Sequence, residues 1–542
     1  MSPCERNCPI HQDITAYLDL VKAGKYAEAL DVICHKNPLP FITGTICAHR
    51  CQSACTRHFY EDSIHVRDAK LLAAQMGFDA FLPTLAPIAK RSERVAVVGG
   101  GPGGMAAAFF AARAGASVTL FEKRDALGGV VRHANPSFRI EEASIERDAE
   151  LLKQLGVEVR LNVEVCSVND LYAQGYTHVV LATGAWKPSV VALQEGESVD
   201  ALAFLETVKK QPNAYAGVHH VAVIGGGNTA MDAARAAKLL PEVKSVGLAY
   251  RRTAREMPAD EEELRDAMQS GVDFLELRGP KALKGGKLVL DVMALGEPDE
   301  SGRRSPAPTG EADEILCDLL ISAIGEKPDD AFLTQNGVTL DARGHATSEK
   351  QNDRLWLVGD AYSGPATVVE AIAGARRAVD ELLGLSEPEP ICAHADVPDV
   401  LSRRGDLCEF EGAQGEALRC QHCGEICENC VDVCPNRANV AVSVHGFAAP
   451  QVVHIDAACN ECGNCAAFCP YHGAPYQDKL TAFGEQKGFD SSQNQGVLPL
   501  ANGRSLVRLG AEVYEDDAAF SRTSPQLREL LKVARTLAEQ WR

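Results

Sequence analysis

The residues best equipped for chemistry in this sequence are its thiols. Nineteen cysteines occur in 542 residues, and they are grouped rather than spread. Nine fall between Cys420 and Cys469, and five form the tight sets Cys4/Cys8 and Cys47/Cys51/Cys55. Cys34, Cys166, Cys317, Cys392 and Cys408 stand apart. The run Cys459-x2-Cys462-x2-Cys465-x3-Cys469-Pro470 has the spacing of bacterial ferredoxins, in which three close thiolates wrap one cubane and the fourth crosses to a second. Its partner run is Cys427-x2-Cys430-x3-Cys434-Pro435. By that logic one 4Fe–4S cluster takes Cys459, Cys462, Cys465 and Cys434. The other takes Cys427, Cys430 and Cys469, with Cys423 ahead of Cys420 as its fourth ligand. Paired CxxC units also suit structural zinc, but the duplicated x3-Cys-Pro endings argue for clusters.

Two glycine-rich turns supply a second kind of chemistry. Gly99-Gly-Gly101-Pro-Gly-Gly104 follows the β-branched run Val95–Val98 and opens an alanine-rich helix. Glycines there allow a tight turn and a close approach of backbone to a pyrophosphate, while the helix N-terminus offers N–H donors and a positive dipole end. Glu122 ends the next strand, 18 residues after Gly104, where a carboxylate can accept from ribose hydroxyls. The second turn, Gly225-Gly-Gly227-Asn228-Thr229-Ala230, again lies between a strand, Val221–Ile224, and a helix. The strand that should end in an acid ends instead in Tyr250-Arg251-Arg252. Arginines at that position suit a 2′-phosphate, so NADPH is expected, with NADH as the alternative. The bland alternative is that both arginines are solvated surface charges.

The elements that position these residues follow from the rest of the chain. A chain of this length exceeds one hydrophobic core, so three or four domains are expected. Residues 1–92 read as helical: apolar residues at helical spacing run from Ile14 to Ile33 with a break at Gly24, and another such stretch passes through Leu71 and Met76. Alternating strands and helices begin at Arg94, and the strand–glycine–helix–strand unit recurs about 125 residues later. Glu297 to Glu311 reads as a polar loop between strands, Ser386 to Pro398 as a linker, and Ser521 to Arg542 as a polar linker with a C-terminal helix. The formal net charge is −20, which repels phosphate backbones and argues against a nucleic-acid partner. No stretch approaches ~18 uninterrupted apolar residues, so no membrane span is expected. Met1 to His11 has no apolar signal segment. A cytoplasmic location is expected, where clustered thiolates suggest metal rather than disulfides.

Leu127-Gly-Gly129, Ala182-Thr183-Gly184, Ala323-Ile-Gly325 and Gly359-Asp360, with Pro365-Ala-Thr367 following, resemble the two-dinucleotide flavoprotein family. That resemblance implies that the first unit binds FAD and that Gly359-Asp360 reaches the ribityl chain. It also implies that the helix opening at Thr367 faces the flavin ring, and that the NADPH domain is inserted between two halves of the FAD domain. Gly128-Gly129-Val-Val-Arg132, the run GGGNTAMD at 225–232 and YRR…MP at 250–258 are similar to the small subunit of bacterial glutamate synthase. They are equally similar to the corresponding part of dihydropyrimidine dehydrogenase, over nearly 1–385. With the C-terminal cysteine region added, the likeness is greatest to the C-terminal half of a subunit assigned to selenate reduction in the same superfamily.

The fold class implied is α/β with α and α+β additions. A helical iron–sulfur domain (1–92) precedes an FAD domain (93–204 and 326–385) carrying an inserted NAD(P)H domain (205–325), both Rossmann-like. A linker (386–415) then leads to a ferredoxin-like domain with two 4Fe–4S clusters and a tail (416–542). The FAD residues implied are Gly99, Gly101, Gly104, Glu122, Gly129, Arg132, Thr183, Gly184, Gly359, Asp360 and Thr367. Those for the nicotinamide nucleotide are Gly225, Gly227, Asn228, Thr229, Arg251 and Arg252. The N-terminal cysteines resemble a set that holds two clusters in this superfamily, where a CxxC upstream of Cys4 completes the first. The second would use Cys8, Cys47 and Cys51, with a fourth ligand near Lys70, which is no normal cluster ligand. At least one N-terminal cluster is therefore expected to be incomplete or rearranged, with Cys4 or Cys55 recruited. His49 reads as a neighbour of these ligands or a surface residue.

The inventory implies an oxidoreductase: NAD(P)H delivers a hydride to FAD, and clusters accept the electrons singly. Hydride transfer needs placement rather than an acid or base, so no catalytic proton-transfer residue is named. No substrate-reducing unit is visible in the sequence, so a redox partner subunit or domain is expected. The alternative is a non-catalytic electron-wiring scaffold with vestigial nucleotide sites, against which the intact glycines argue. A thioredoxin-reductase-like enzyme is excluded, because the inserted domain has one cysteine, Cys317, and no CxxC.

Overall fold

A computed structural model describes residues 1–59, 61–299, 302–392, 395–403, 407 and 412–541. Cys408, Arg542, and parts of the expected linker and of the Glu297–Glu311 loop lie outside these described residues. The chain divides into two compact units: Met1–Ala23, His49–Val66 and Ile391–Arg542 form one, and Gly24–Ala48 and Arg67–Pro390 the other.

In the larger unit a six-stranded sheet has the order Lys350–Asn352, Leu355–Leu357, His178–Leu181, Arg94–Val98, Ser117–Phe121, Glu158–Arg160. All neighbours are parallel except the first pair. The central strand Arg94–Val98 is buried along four of its five residues, as expected when helices cover both faces of a parallel sheet. Helix Pro102–Arg113 crosses from it to Ser117–Phe121 and packs beside helix Val368–Leu383. His178–Leu181 and Leu355–Leu357 are neighbours in this sheet although more than 170 residues separate them, and the intervening chain builds a second sheet.

That second sheet has five parallel strands in the order Val199–Asp200, Leu319–Ser322, His220–Ile224, Ser245–Tyr250, Asp273–Glu276. A three-stranded antiparallel sheet, Arg278–Lys284, Lys287–Pro298 and Arg304–Leu316, adjoins it. Two expectations change here. Val199–Asp200 pairs with Ile321–Ser322, so the inserted unit begins ahead of residue 205; a two-residue strand carries too little periodicity to be seen in sequence. Most of Glu297–Glu311 is hairpin strand rather than loop, with strand pairing reaching Pro298 and Arg304. The prolines and acids of that hairpin are exposed, which hides its strand character.

Helices Tyr26–Lys36, Pro40–Ile46 and Val66–Phe81 take the places expected of them around the Gly24 break and through Leu71 and Met76. The fully buried Asp148, on helix Glu142–Gln154, accepts from the backbone N–H groups of Phe41 (3.0 Å) and Ile42 (2.8 Å). Those groups open helix Pro40–Ile46 and have no partner within it.

The smaller unit has a six-stranded mixed sheet running Asn439–Val442, Gln451–Ile455, Leu480–Ala482, Gly496–Pro499, Ser505–Leu509, Glu512–Asp516. Helix Pro525–Gln540 buries Leu531, Ala534 and Ala538 against Val453, Ala482, Val497 and Val507. The expected C-terminal helix is therefore present, and its apolar face belongs to a core where a polar linker was expected.

Candidate functional site

In the larger unit, three separate turns converge on the N-terminus of helix Pro102–Arg113. Gly99 has φ 108°, and a side chain on it would collide with the carbonyl of Ala182; one on Gly104 would collide with the carbonyl of Gly99. A Cβ on Gly101 would stand 3.7 Å from the Cα of Gly129, and one on Gly103 3.5 Å from the Cα of Gly359. Backbone from 99–104, 128–129 and 359 therefore meets with no side chain between, leaving the helix's free N–H groups facing a cradle. Glu122 accepts from Gly100 N at 2.6 Å and Arg124 N at 2.8 Å, which fixes its carboxylate at the end of its strand. Thr183 Oγ1 is buried beside Gly184 and finds no hydrogen-bond partner within the protein. An unpartnered buried hydroxyl is expensive unless a ligand meets it. The cradle and this hydroxyl fit a dinucleotide.

Asp360 follows Gly359 and accepts from Ala366 N at 3.2 Å; burial pushes its carboxyl up to about 6. Thr367 caps helix Val368–Leu383, donating to Glu370 Oε2 at 2.8 Å and accepting from Glu370 N at 3.3 Å. Arg132 is placed differently from the other residues named from sequence. Its Nε donates to the Leu127 carbonyl at 2.6 Å, and its guanidinium pairs with Glu142 at 3.1 Å and with Glu146. Those bonds commit it to shaping the 127–132 turn. Glu326 was not singled out from sequence. Burial, with Asp200 and Asp360 nearby, pushes its carboxyl up to about 7, and no sequence motif marks a group whose charge depends on burial.

At the second turn a side chain on Gly226 would strike the ring of Tyr250, whereas one on Gly227 would meet nothing within 4 Å. The backbone is therefore packed on one side and open on the other, at the start of helix Asn228–Lys238. Thr229 lies in its first turn. Asn228 is held by Asp260, its Nδ2 donating to Asp260 Oδ2 at 3.2 Å and its Oδ1 accepting from Asp260 N at 3.1 Å. The paired arginines separate. Arg251 is exposed, while Arg252 is buried with Nε donating to the Arg304 carbonyl at 2.8 Å. Cys317 is buried, and burial pushes its thiol up to about 11, so it has no thiolate for disulfide chemistry.

In the smaller unit, Cys434, Cys459, Cys462 and Cys465 line one pocket of about 290 Å³. This is the set assigned to one ferredoxin cluster from spacing. Ala438 N points at Cys434 Sγ (3.2 Å) and Glu461 N at Cys459 Sγ (3.3 Å), donors of the kind that tune cluster sulfurs. His454 lines the same pocket; burial holds its imidazole down to about 4 and its Nδ1 lies 2.9 Å from Asn439 Oδ1. Cys427, Cys465 and Cys469 are the thiols nearest in effect to Cys430, and Gly473 N points at Cys469 Sγ at 3.3 Å.

Cys423 departs from its expected place. It lines a different pocket, with Cys4, Cys55 and Cys420. One residue more than the ferredoxin spacing separates Cys423 from Cys427, and His422 before it has left-handed backbone, φ 48°; the Cys423 thiol is within electrostatic reach of Cys420, Cys55 and Cys427. Among the described residues, no three His, Cys, Asp or Glu side chains close around a single metal ion. A cubane spreads its four thiolates over four iron corners, and four cysteines lining one pocket fit such a cluster. Of the remaining N-terminal set, Cys8 and Cys51 belong to the smaller unit, Cys47 and Lys70 to the larger. His49, of the smaller unit, has left-handed backbone (φ 34°) and precedes helix Arg50–Ser53.

A family profile described as pyridine nucleotide-disulphide oxidoreductase matches residues 93–375. The chain belongs to that family. A second profile, described as dihydropyrimidine dehydrogenase domain II, 4Fe–4S cluster, matches residues 1–79. The oxidoreductase YgfK of Escherichia coli K12 is 39% identical over 98% of this chain and 54% of its own length. The beta subunit of the NADP(+)-dependent formate dehydrogenase of Moorella thermoacetica is 33% identical over 72% of this chain and 61% of its own. The small chain of E. coli K12 glutamate synthase [NADPH] is 29% identical over 71% and 88%. The chain thus spans about half the length of YgfK. These matches bear out the likeness to glutamate synthase and dihydropyrimidine dehydrogenase read from the motifs. They show in this chain a pyridine nucleotide-disulphide oxidoreductase domain and an iron–sulfur domain, of mixed α/β, Rossmann-like fold. No helix among the described residues is long and apolar enough to cross a membrane.

Proposed function

We propose that this chain is the electron-input module of a cytoplasmic reductase, passing electrons from NADPH through FAD to 4Fe–4S clusters and on to a partner subunit or domain that reduces the substrate. The observation that carries this is the pairing, in one compact unit, of two glycine cradles, each at the N-terminus of its own helix. When bound, FAD converts a two-electron hydride donor into single electrons that iron–sulfur clusters can accept. Gly99, Gly101, Gly104 and Gly129 let the backbone approach the FAD pyrophosphate, Glu122 accepts from the ribose hydroxyls, and Thr183 offers its hydroxyl to the same cofactor. Gly184, Gly359 and Asp360 line the approach to the flavin, and the helix capped by Thr367 directs its N-terminus there. Gly225, Gly227 and Thr229 take the NADPH pyrophosphate at the second helix, Asn228 and Arg252 hold that turn and strand in place, and Arg251 meets the 2′-phosphate. Arg132 positions the Gly129 turn. In the smaller unit Cys434, Cys459, Cys462 and Cys465 hold one ferredoxin cluster, and Cys427, Cys430 and Cys469 belong to the other.

The formate dehydrogenase and glutamate synthase relatives are named as a subunit and a small chain, and this supports a partner for the present chain. The test is an anaerobic titration of the holoprotein with NADPH and then NADH, following the flavin absorbance, with turnover measured on an artificial one-electron acceptor. Bleaching by NADPH with acceptor reduction is expected. A flavin-loaded, cluster-loaded protein inert to both nucleotides would overturn the reading in favour of a passive scaffold.

A further inference from the structure

A second four-cysteine pocket, in the smaller unit, is built from the two ends of that unit's sequence. Cys4 comes from helix Pro3–Arg6, and Cys55 follows helix Arg50–Ser53. Cys420 and Cys423 follow helix Gly412–Leu418. All four line one pocket, as the four ferredoxin cysteines line theirs. The remaining wall mixes apolar side chains, Ile14, Leu18, Ile64 and Val66 among them, with hydroxyls, an arginine and an amide; the lining holds no His, Asp or Glu, so the thiols are its principal metal donors. Hydroxyls stand behind two of the sulfurs: Ser2 Oγ lies 3.0 Å from Cys4 Sγ, and Thr56 Oγ1 lies 2.9 Å from Cys423 Sγ. Against a thiolate, each hydroxyl donates.

The two stretches are joined independently of the thiols. Arg57, 1% exposed, donates from Nε to the Arg419 carbonyl at 2.6 Å. Arg419 in turn pairs with Glu61 at 3.2 Å and donates to the carbonyls of Ser63 (3.3 Å) and Asp62. His65 N donates to Glu416 Oε2 at 3.0 Å, and His422 Nε2 lies 2.9 Å from Asp19 Oδ1. A Cβ on Gly424 would come within 3.1 Å of Ser2 N, so even backbone is in close apposition. This is a constructed junction, with hydrogen-bonded residues as much as 403 positions apart. Such burial of arginines and carboxylates is costly unless each is paired, and here each named arginine is.

We propose that Cys4, Cys55, Cys420 and Cys423 are the four ligands of one 4Fe–4S cluster, so that the Cys420-x2-Cys423 pair completes the N-terminal set across the length of the chain. The proposal rests on the iron–sulfur reading above and extends it to a site with shared ownership. It assigns Cys420 as a ligand and removes Cys423 from the ferredoxin set, which keeps Cys427, Cys430 and Cys469. Loading is ligand exchange without a change of oxidation state. A thiolate-ligated cube from a carrier gives up four Fe–S bonds and forms four new ones, and the four cysteine protons pass to the departing thiolates.

The test uses full-length holoprotein purified anaerobically, with iron, acid-labile sulfide and FAD quantified and the reduced clusters recorded by electron paramagnetic resonance. Cys4→Ser, Cys55→Ser, Cys420→Ser and Cys423→Ser are each expected to lose about four iron per FAD and the same set of resonances. Cys434→Ser should remove a different set and leave this one. FAD content serves as the control for folding. Full iron in Cys420→Ser, or loss of the ferredoxin resonances in Cys423→Ser in place of this set, overturns the proposal while leaving the flavin reading intact. A wild-type protein without flavin would instead strike the broader reading. Should the serine variants fail to accumulate, iron-edge anomalous scattering from crystals of the wild-type holoprotein decides the question. A peak enclosed by these four sulfurs supports the site, and its absence beside occupied ferredoxin sites refutes it.

Discussion

Arg139 and Asp232 meet as a buried ion pair, Nε to Oδ1 3.2 Å, between the loop after the first glycine turn and the helix that opens at the second. Burial raises the Asp232 carboxyl to about 6 despite Arg139, and Arg139 also pairs with Glu263. The N–H of Arg139 Nε is not aimed at the carboxylate, so the contact is one of charge more than of hydrogen bonding. Removing one partner strands the other in an apolar setting, at a cost of about 3 kcal/mol. Arg139→Met is therefore expected to lower the denaturant midpoint of the nucleotide domains more than Asp232→Asn does, since Arg139 keeps Glu263 when Asp232 is neutralised, whereas methionine takes the guanidinium from both carboxylates. Urea titration followed by flavin fluorescence measures both, and a larger loss in Asp232→Asn would contradict this account.

Glu122 offers a second test, because both its oxygens already accept backbone N–H groups, from Gly100 and Arg124. Its remaining lone pairs are free for ribose hydroxyls. Glu122→Ala removes charged hydrogen bonds worth about 1.5–3 kcal/mol each and loosens the Gly100 turn as well. FAD affinity of reconstituted protein is expected to fall at least about tenfold, measured by fluorescence on dilution, with Thr183→Val showing a smaller fall. Unchanged affinity in Glu122→Ala would remove the acid from the FAD site.

The fingerprints were legible because their residues act on their own neighbours: Gly99, Gly104 and Gly226 are dictated by contacts a few residues away or across one strand. The ferredoxin set Cys434, Cys459, Cys462 and Cys465 was legible for the same reason, since spacing alone carries it. Cys420 was not, because its partners Cys4 and Cys55 are set by tertiary bonds from Arg57 and Arg419 that no local pattern encodes. Arg251 and Arg252 look alike as a dipeptide, and only the hairpin that receives Arg252 separates them. The tail was read as polar because Leu531, Ala534 and Ala538 are small or widely spaced, and their burial depends on the sheet beneath.

The separation of the two arginines gives distinct outcomes for two substitutions. Arg251→Ala should weaken NADPH about tenfold and leave NADH nearly unchanged, as loss of one charged contact to a 2′-phosphate requires. Arg252→Ala removes a buried side chain bonded to the Arg304 carbonyl and should lower thermal stability without changing the ratio of the two nucleotides. Steady-state kcat/KM for each nucleotide, with a melting curve, separates these effects. An Arg252→Ala enzyme with inverted nucleotide preference would show the assignment to be reversed.

The carboxyls near the flavin cradle predict a pH dependence of defined sign. Burial pushes Glu326 up to about 7 and Asp360 up to about 6, whereas in an unfolded chain these groups titrate near 4. Between these limits the folded protein binds more protons than the unfolded one, so stability falls as pH rises. Their contribution is fully present below about pH 4 and is lost as pH passes 6 and then 7. Glu206, held down to about 2 with Arg124 and Lys210 as its favourable partners against burial, acts in the opposite sense and only at lower pH. Buried His454, held down to about 4, acts against the raised groups in the window from pH 5 to 8, because there it gains a proton only in the unfolded chain. The difference between variants isolates Glu326: the melting temperature of the wild type minus that of Glu326→Gln, which has no proton to lose, should fall as pH rises across that window. Parallel profiles for the two proteins would show that Glu326 is ionised throughout the window.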